Sequence, residues 1–235
     1  MDIKLNLILQ EPIDFYGIPI QLITFEEIFK YGIDKFNQLL IPFSITIDLL
    51  ENELSEEDKL KIKNFDLVVS DKSIFQLLIQ ALQLFCKTDD IQFVEEGIKI
   101  KDGILNRDNF DEFAIIILQI CARERQTKER VPIFKNDLQR DIWTKLQEGR
   151  KREAKKNELK LEDVINIVQY GGKSFIPKEE IKKFTLWEMM NAYKTILGIS
   201  NYQDSFSIYL ISGEKSLVEG KHWTELIKID NKSKE

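Results

Sequence analysis

The sequence predicts a predominantly helical α+β protein, with small N-terminal β-hairpins among helices and a C-terminal helical bundle. Three observations support this class: apolar residues recur at helical spacing, short alternating segments lie near the N-terminus, and capping residues precede the helical runs. The 235 residues are 43% hydrophobic and 31% charged, which suits a sizeable core. We expect an α+β domain over 1–125, a charged helical connector over 126–158 and a small helical bundle over 159–235.

The N-terminal region shows strand-like alternation in two places, separated by Glu11-Pro12. In each place apolar residues occupy every second position, as in a strand with one buried face. We therefore predict two short antiparallel strands, with the second one following Gly17. The alternating residues are Ile3, Leu5, Leu7 and Leu9 in the first strand and Ile18, Ile20 and Leu22 in the second.

Capping residues mark the starts of the next helices. Thr24 and Glu27 have the spacing of a capping box, in which each side chain satisfies a free backbone amide. The helix that they open should end at Gly32. A second short helix is expected over Asp34–Leu40, and acidic residues that favour a helix N-terminus predict another short helix from Ser55.

The central region contains the clearest helical pattern of the chain. Apolar residues at i, i+3, i+4 and i+7 predict a helix from about Lys72 to Phe85, with Asp71 or Ser70 as its cap. A later apolar run, which begins at Phe110, predicts a helix that is central to the core. Asp108 is the expected cap of that helix.

A small hairpin is expected between these two helices. The runs Ile91–Val94 and Ile98–Ile100 are rich in strand-forming residues, and turn residues separate them. Asp102-Gly103 predicts a further turn directly afterwards. Residues 1–125 therefore read as one α+β domain.

The chain changes character after Arg123. Residues 123–160 contain thirteen Lys/Arg and seven Asp/Glu, a net charge of +6, so the rest of this −6 chain carries −12. Between Gln147 and Glu158 only Ala154 is apolar, and a helix that is polar all round buries nothing of its own. The preceding helix has a narrow apolar stripe at i+4 spacing, formed by Phe134, Leu138, Ile142 and Leu146.

The C-terminal region returns to apolar helical spacing. A helix with apolar residues from Leu161 to Val168 should end at Gly171-Gly172. Thr185 begins a second capping box, and the helix that it opens should stop at Gly198. One further helix is expected from about Tyr202 to Leu210. These elements predict a small all-helical bundle.

The sequence contains no pattern typical of an active site. His222 is the only histidine, which excludes the usual multi-histidine metal sites. Gly172-Lys173-Ser174 imitates the end of a phosphate-binding loop, but Ile167 stands where that loop needs glycine. Acidic clusters fall at expected helix ends and turns, where they serve as caps. We expect no catalytic residue, metal or cofactor.

The cysteines and the hydropathy pattern predict a cytoplasmic protein. Cys86 and Cys121 lie in strongly apolar helical segments, as is typical of small buried residues in a reducing compartment. The longest apolar stretch, around Phe113–Ala122, has about ten residues, whereas a membrane span needs roughly twenty. The N-terminus lacks the features of an export signal.

The basic connector is the candidate binding surface. Local cation clusters are typical of nucleic-acid contacts, but acidic residues are interleaved here, stacking aromatics are missing and the −12 remainder repels phosphate. Glu148 and Arg152 have the i, i+4 spacing of a helix-stabilising pair. A solvated helix, or one that contacts an acidic protein, is therefore favoured over nucleic acid. The candidate partner-binding residues are Arg140, Lys145, Arg150, Lys151, Arg152, Lys155 and Lys156.

A series of short sequences follows in order along most of the chain. It comprises Leu22-Ile23-Thr24-Phe25-Glu26-Glu27-Ile28, Leu39-Leu40-Ile41-Pro42-Phe43, Gly103-Ile104-Leu105, Asp108-Asn109-Phe110-Asp111-Glu112-Phe113, Leu161-Glu162-Asp163-Val164-Ile165 and Phe184-Thr185-Leu186-Trp187-Glu188. This series resembles proteins from the tail-morphogenesis region of phages and prophages of low-GC Gram-positive bacteria. Some of these proteins are tail assembly chaperones, encoded just before the tape measure protein.

The resemblance implies a non-enzymatic role in phage tail assembly. Such a chaperone binds the hydrophobic, helix-forming tape measure protein, keeps it soluble and helps the tail tube protein to polymerise around it. It acts in the cytoplasm of the bacterial host, and the virion tail is a second location to consider. A phage tail or neck structural protein is one alternative, and a nucleic-acid-binding regulator that uses residues 123–160 is another. Assembly into a homo-oligomer stays open.

Overall fold

The computed structural model describes residues 3–47, 62–125, 136–156 and 160–213. These residues form a predominantly helical α+β structure with two small antiparallel sheets, which confirms the predicted fold class. The helices are α1 (Lys4–Leu9), α2 (Phe25–Tyr31), α3 (Ile33–Leu39), α4 (Ile41–Ser44), α5 (Asn64–Ser70), α6 (Lys72–Cys86), α7 (Phe110–Ile120), α8 (Asp137–Lys156), α9 (Leu161–Tyr170), α10 (Lys178–Ile181) and α11 (Leu186–Ser212). The strands are β1 (Ile13–Phe15), β2 (Ile18–Ile20), β3 (Ile91–Val94), β4 (Gly97–Ile100) and β5 (Gly103–Leu105). The helix expected from Ser55, as well as Phe134 and His222, lies outside the described residues.

The segment predicted as the first strand is in fact helix α1, so that prediction was wrong. Alternation at every second position also creates i, i+4 pairs, which lie on one face of a helix. One such pair, Ile3 and Leu7, is buried, whereas Leu5 and Leu9 are exposed. The Leu7 amide donates to the Ile3 carbonyl at 3.0 Å, as a helix requires. In a segment of only seven residues, this apolar pattern is compatible with a strand and with a helix.

The first sheet is the hairpin of β1 and β2, connected by Tyr16-Gly17. Both turn residues have positive φ values (48° and 84°), as in the tight turns that match the twist of paired strands. The strand predicted after Gly17 is confirmed, although it pairs with β1 and not with residues 3–9. The paired and fully buried side chains are Ile13 with Ile20 and Phe15 with Ile18.

The second sheet has the strand order β3-β4-β5. Its first two strands confirm the predicted hairpin, and the turn at Asp102-Gly103 leads into β5, a strand that the sequence analysis missed. A Cβ atom on Gly103 would lie 2.6 Å from the Tyr16 carbonyl oxygen and 2.5 Å from the Ile18 side chain. Only glycine therefore lets the β1–β2 hairpin approach this strand so closely.

The main core lies between α6, α7 and the two sheets. The Asp71 side chain caps α6 by accepting hydrogen bonds from the Ser73 and Ile74 amides (2.8 and 3.0 Å), as predicted. Both cysteines are unpaired and buried in this core, which confirms their predicted packing role. The central aromatic residues, all fully buried, are Phe15, Phe36, Phe43, Phe85, Phe110 and Phe113.

The start of α7 differs from the prediction. Its N-cap position is Asn109, and Asp108 instead pairs with Lys63 on the surface. Asn106 accounts for the difference, because its side chain accepts hydrogen bonds from the Asp108 and Asn109 amides (2.9 and 3.2 Å). These bonds form a turn of the kind that asparagine favours, and the helix begins after it.

The C-terminal helices form a second, smaller core. Helix α9 is followed by Gly171 at its C-cap, as predicted. Helix α11 does not stop at Gly198 but continues to Ser212, so the two helices expected there are one. A glycine inside a helix costs only about 1 kcal/mol relative to alanine, and packing around the buried Gly198 can offset that cost. The buried apolar residues of this core are Phe25, Val164, Val168, Ile181 and Met189.

The two capping boxes meet where the two cores touch. Thr24 and Thr185 face each other in an antiparallel bridge, and each accepts a hydrogen bond from the amide three residues later. The Phe25 and Glu26 amides donate to the carbonyls of Phe184 and Lys182 (2.8 and 3.0 Å). All three amides of the first turn of α2 are thus satisfied. The division into parts 1–125, 126–158 and 159–235 stays a prediction.

Candidate protein-interaction surfaces

Helix α8 carries all seven of the predicted partner-binding cations. Its residues Asp137–Lys156 include seven Lys/Arg and four Asp/Glu, a net charge of +3. The side chains of Arg140, Lys145, Arg150 and Arg152 are exposed, whereas those of the three other lysines lie outside the described part. All seven positions therefore lie on one continuous helix. That these cations bind a partner stays a prediction.

Two of these cations pair with acidic residues of the same helix. Arg140 lies 3.4 Å from Asp137, and Arg152 lies 3.5 Å from Glu148, which confirms the predicted i, i+4 pair. All four side chains are more than half exposed, so each pair stabilises the helix only weakly. The pairs lower the charge that α8 presents to an anionic polymer.

Helix α8 also has an apolar face, which we call the α8 ridge. It consists of Leu138, Ile142 and Leu146, which are 67%, 51% and 58% exposed. Their i+4 spacing places them in a row along the helix, as the sequence predicted. Three exposed side chains of this size in a row form an apolar surface patch, which is a candidate contact for apolar side chains of another helix.

The second half of α11 is a further exposed apolar surface. Residues 199–212, here called distal α11, contain a single charged residue, Asp204. Phe206 and Tyr209 lie in contact on this helix, with ring centroids 6.3 Å apart. The sequence analysis missed this surface because it ended the helix at Gly198, although a run of fourteen residues with one charge was visible. The exposed large apolar residues are Phe206, Ile208, Leu210 and Ile211.

A groove of about 460 Å³ lies between α5, the start of α6 and the β3–β4 hairpin. We call it the hairpin groove. Phe75 and Phe93 form one wall, with ring centroids 5.4 Å apart, and Phe93 is 62% exposed. The turn residues Glu95 and Glu96 border it. The sequence could not show this groove, because its walls come from three separate elements. Its apolar lining is Phe65, Val69, Phe75, Phe93, Val94 and Ile98.

The titratable groups with shifted pKa values lie in structural roles. Burial raises the pKa of the Cys86 and Cys121 thiols to about 12, so neither is a nucleophile near neutral pH. A hydrogen bond from Lys63 lowers the pKa of Asp108, and one from Lys30 lowers that of Glu26. Within the described ranges, no group of three or more His, Cys, Asp or Glu side chains could hold a metal ion.

Comparison with known proteins gives no relative for this chain. No family profile, curated protein or solved structure matches it. Among the described helices, none is both long enough and apolar enough to cross a bilayer.

Proposed function

We propose that this chain is a non-enzymatic phage tail assembly chaperone, which binds the tape measure protein and assists polymerisation of the tail tube protein. The observation that carries the proposal is distal α11, where four large apolar side chains are exposed on a helix with one charge. Tail assembly in the cytoplasm of the bacterial host, or within the virion tail, is the setting that the family resemblance implies.

The client of such a chaperone sets physical requirements on its surface. A tape measure chain is helical and apolar, so it associates best with exposed apolar faces on other helices. Distal α11 offers two such faces, one formed by Phe206 and Leu210 at i, i+4 spacing and one formed by Ile208 and Ile211 at i, i+3 spacing. The cations of α8 supply a second kind of contact, to acidic side chains on the client or on the tube protein.

The test is co-expression of the full chain with an apolar helical fragment of a phage tape measure protein. The chain should raise the soluble yield of the fragment and co-purify with it. The double change Leu210→Asp with Ile211→Asp should remove most of this gain, because it places two charges in the apolar contact.

The matched control is Leu5→Asp on α1. Leu5 and Leu210 are the same residue type, lie on helices and are each 66% exposed. This variant should keep the full chaperone effect. An unchanged soluble yield with the unaltered chain, or an equal loss in both variants, would overturn the proposal.

Exposure of four α8 cations supports one rival function, a nucleic-acid-binding regulator. Binding of duplex DNA across a salt series separates the two functions, because phosphate contacts weaken steeply with added salt. The chaperone proposal expects no binding at low salt. Tight binding that falls steeply with salt, and that Arg150→Ala with Arg152→Ala abolishes, would favour the regulator.

A further inference from the structure

The hairpin groove and the α8 ridge have complementary shapes and charges. The groove is concave and apolar, and Phe93 of its aromatic wall is exposed to solvent, whereas Phe75 is partly buried against the main core. The ridge is a convex row of three aliphatic side chains on a helix. An apolar helix face placed in the groove would cover Phe93 and continue the packing of the main core, since Ile98 on the groove floor is buried there.

The net charge at the border of the groove favours a positively charged binding partner. Asp66 and Arg107 at its edge neutralise each other through a 2.6 Å ion pair. Glu95 and Glu96 of the hairpin turn then leave the border with a charge of −2. An acidic helix would be repelled, whereas an apolar helix with cations beside its apolar row would be attracted.

Helix α8 has this combination. Lys145 follows Ile142 by three residues and therefore lies beside the ridge. Arg152, seven residues further on, lies on the same side but is paired with Glu148, so Lys145 is the cation on which the docking contact depends. The helix as a whole carries +3. Helix α1 also exposes aliphatic side chains beside a cation, Leu5, Ile8 and Leu9 with Lys4, but its net charge is only +1, against +3 for α8.

We propose that the α8 ridge of one copy of this chain docks in the hairpin groove of a second copy, with Lys145 beside Glu95 and Glu96. Each copy has one ridge and one groove, so the contact is head-to-tail and can extend from copy to copy into a ring or an open chain. This self-association is independent of the phage function proposed above.

The experiment measures the molar mass of the purified full chain by light scattering and sedimentation over a range of concentrations at low salt. The mass should rise with concentration. Ile142→Asp removes the ridge and Phe93→Asp removes the groove wall, and each variant alone should be monomeric. Both positions are more than half exposed, so the circular dichroism and melting temperature of each variant should match those of the unaltered chain.

Mixing the two variants tests the head-to-tail geometry directly. Ile142→Asp retains its groove and Phe93→Asp retains its ridge, so an equal mixture should form a dimer that grows no further. Leu5→Asp, on α1, is the control and should associate as the unaltered chain does, because Leu5 is 66% exposed and lies outside both the ridge and the groove. A monomeric unaltered chain, association that survives either variant, or a mixture that stays monomeric would overturn the proposal.

Charge reversal tests the role of the border. Lys145→Glu should weaken association by about tenfold, and so should Glu95→Lys with Glu96→Lys. A chain with all three changes should associate again, because its reversed ridge then meets a reversed groove. No loss in the first two variants, or no recovery in the third, would show that these charges do not face each other.

Discussion

Helix α7 has eleven residues and α8 has twenty, but it is the shorter helix α7 that lies in the main core. Seven residues of α7 are buried in the main core, where the Phe113 ring lies against Phe15 of β1 and Phe43 of α4. Helix α8 exposes its whole apolar ridge and is stabilised by its own backbone bonds and by weak side-chain pairs. Apolar residues at helical spacing therefore have two different uses in one chain, and burial separates them: those of α7 specify the fold, and those of α8 remain available for binding.

The sharpest test of this comparison is Phe113→Ala in α7. The Phe113 ring is fully buried, 5.4 Å from Phe15 and 6.0 Å from Phe43, so its loss leaves a cavity. The free energy of unfolding, measured by urea denaturation, should fall by about 3–5 kcal/mol. Ile142→Ala on the α8 ridge should change it by less than about 0.5 kcal/mol. If both variants lost the same free energy of unfolding, the α8 ridge would have to be packed against the rest of the protein.

A second prediction concerns the polar side of α7. Asp111 accepts hydrogen bonds from Asn64 (2.7 Å) and from Arg125 (2.8 Å), and the Arg125 side chain is only 14% exposed. Asp111→Ala should lower the free energy of unfolding by about 1–3 kcal/mol, because it leaves these donors unpaired. Asp108→Ala removes a carboxylate that is 83% exposed, just before the same helix, and should have a much smaller effect because its ion pair with Lys63 lies in solvent. Equal melting temperatures for Asp111→Ala and Asp108→Ala would contradict this prediction.

The third prediction addresses the junction between the cores. Thr185→Ala should lower the free energy of unfolding by about 1 kcal/mol through loss of the α11 cap, and Thr185→Ser should restore most of it. Thr24→Ala should act similarly on α2. Because the two threonines form one bridge, the double variant should lose less than the sum of the single losses. Strict additivity in the double-mutant cycle would contradict this coupling.

The smallest expected effect is a pH dependence at Glu27. Burial raises the pKa of this carboxyl, but hydrogen bonds from Lys87 (2.8 Å) and from the Thr24 amide (2.9 Å) outweigh it and leave the pKa below its usual 4.5. The ionised group therefore stabilises the fold above about pH 4.5, and this stability is lost as the pH falls through the lowered pKa. Glu27→Gln, and likewise Lys87→Met, should flatten the decline of melting temperature in this acid range. If the melting temperature of the variants and of the unaltered chain fell in parallel with pH, the stabilising role of ionised Glu27 would be refuted.

Local signals made much of this fold predictable. The capping boxes at Thr24 and Thr185, the Asp71 cap and the β3–β4 hairpin each depend on residues close together in sequence, so spacing alone revealed them. The errors occurred where short patterns fit two structures, as in α1, or where packing overrode a helix-breaking residue, as at Gly198.

Of the candidate surfaces, some could likewise be predicted from local sequence and others could not. The α8 ridge and the seven cations were visible as a periodic stripe and a charge excess in one continuous segment. The hairpin groove combines Phe65, Phe75 and Phe93, which tertiary structure alone brings together. Exposure, which distinguishes the ridge from the core-facing row of α7, is likewise a property of the folded molecule and has no periodic signature.

The position of Phe25 has a consequence for the order in which the chain can fold during synthesis. Its ring is fully buried in the second core, and its amide is bonded to the carbonyl of Phe184, some 160 residues later. While the ribosome is still making the middle of the protein, this ring lacks its neighbours in the second core, and the Phe25 and Glu26 amides lack their acceptors at Phe184 and Lys182. The N-terminal half therefore emerges with one unfinished edge, which is completed only when residues 181–189 have left the exit tunnel.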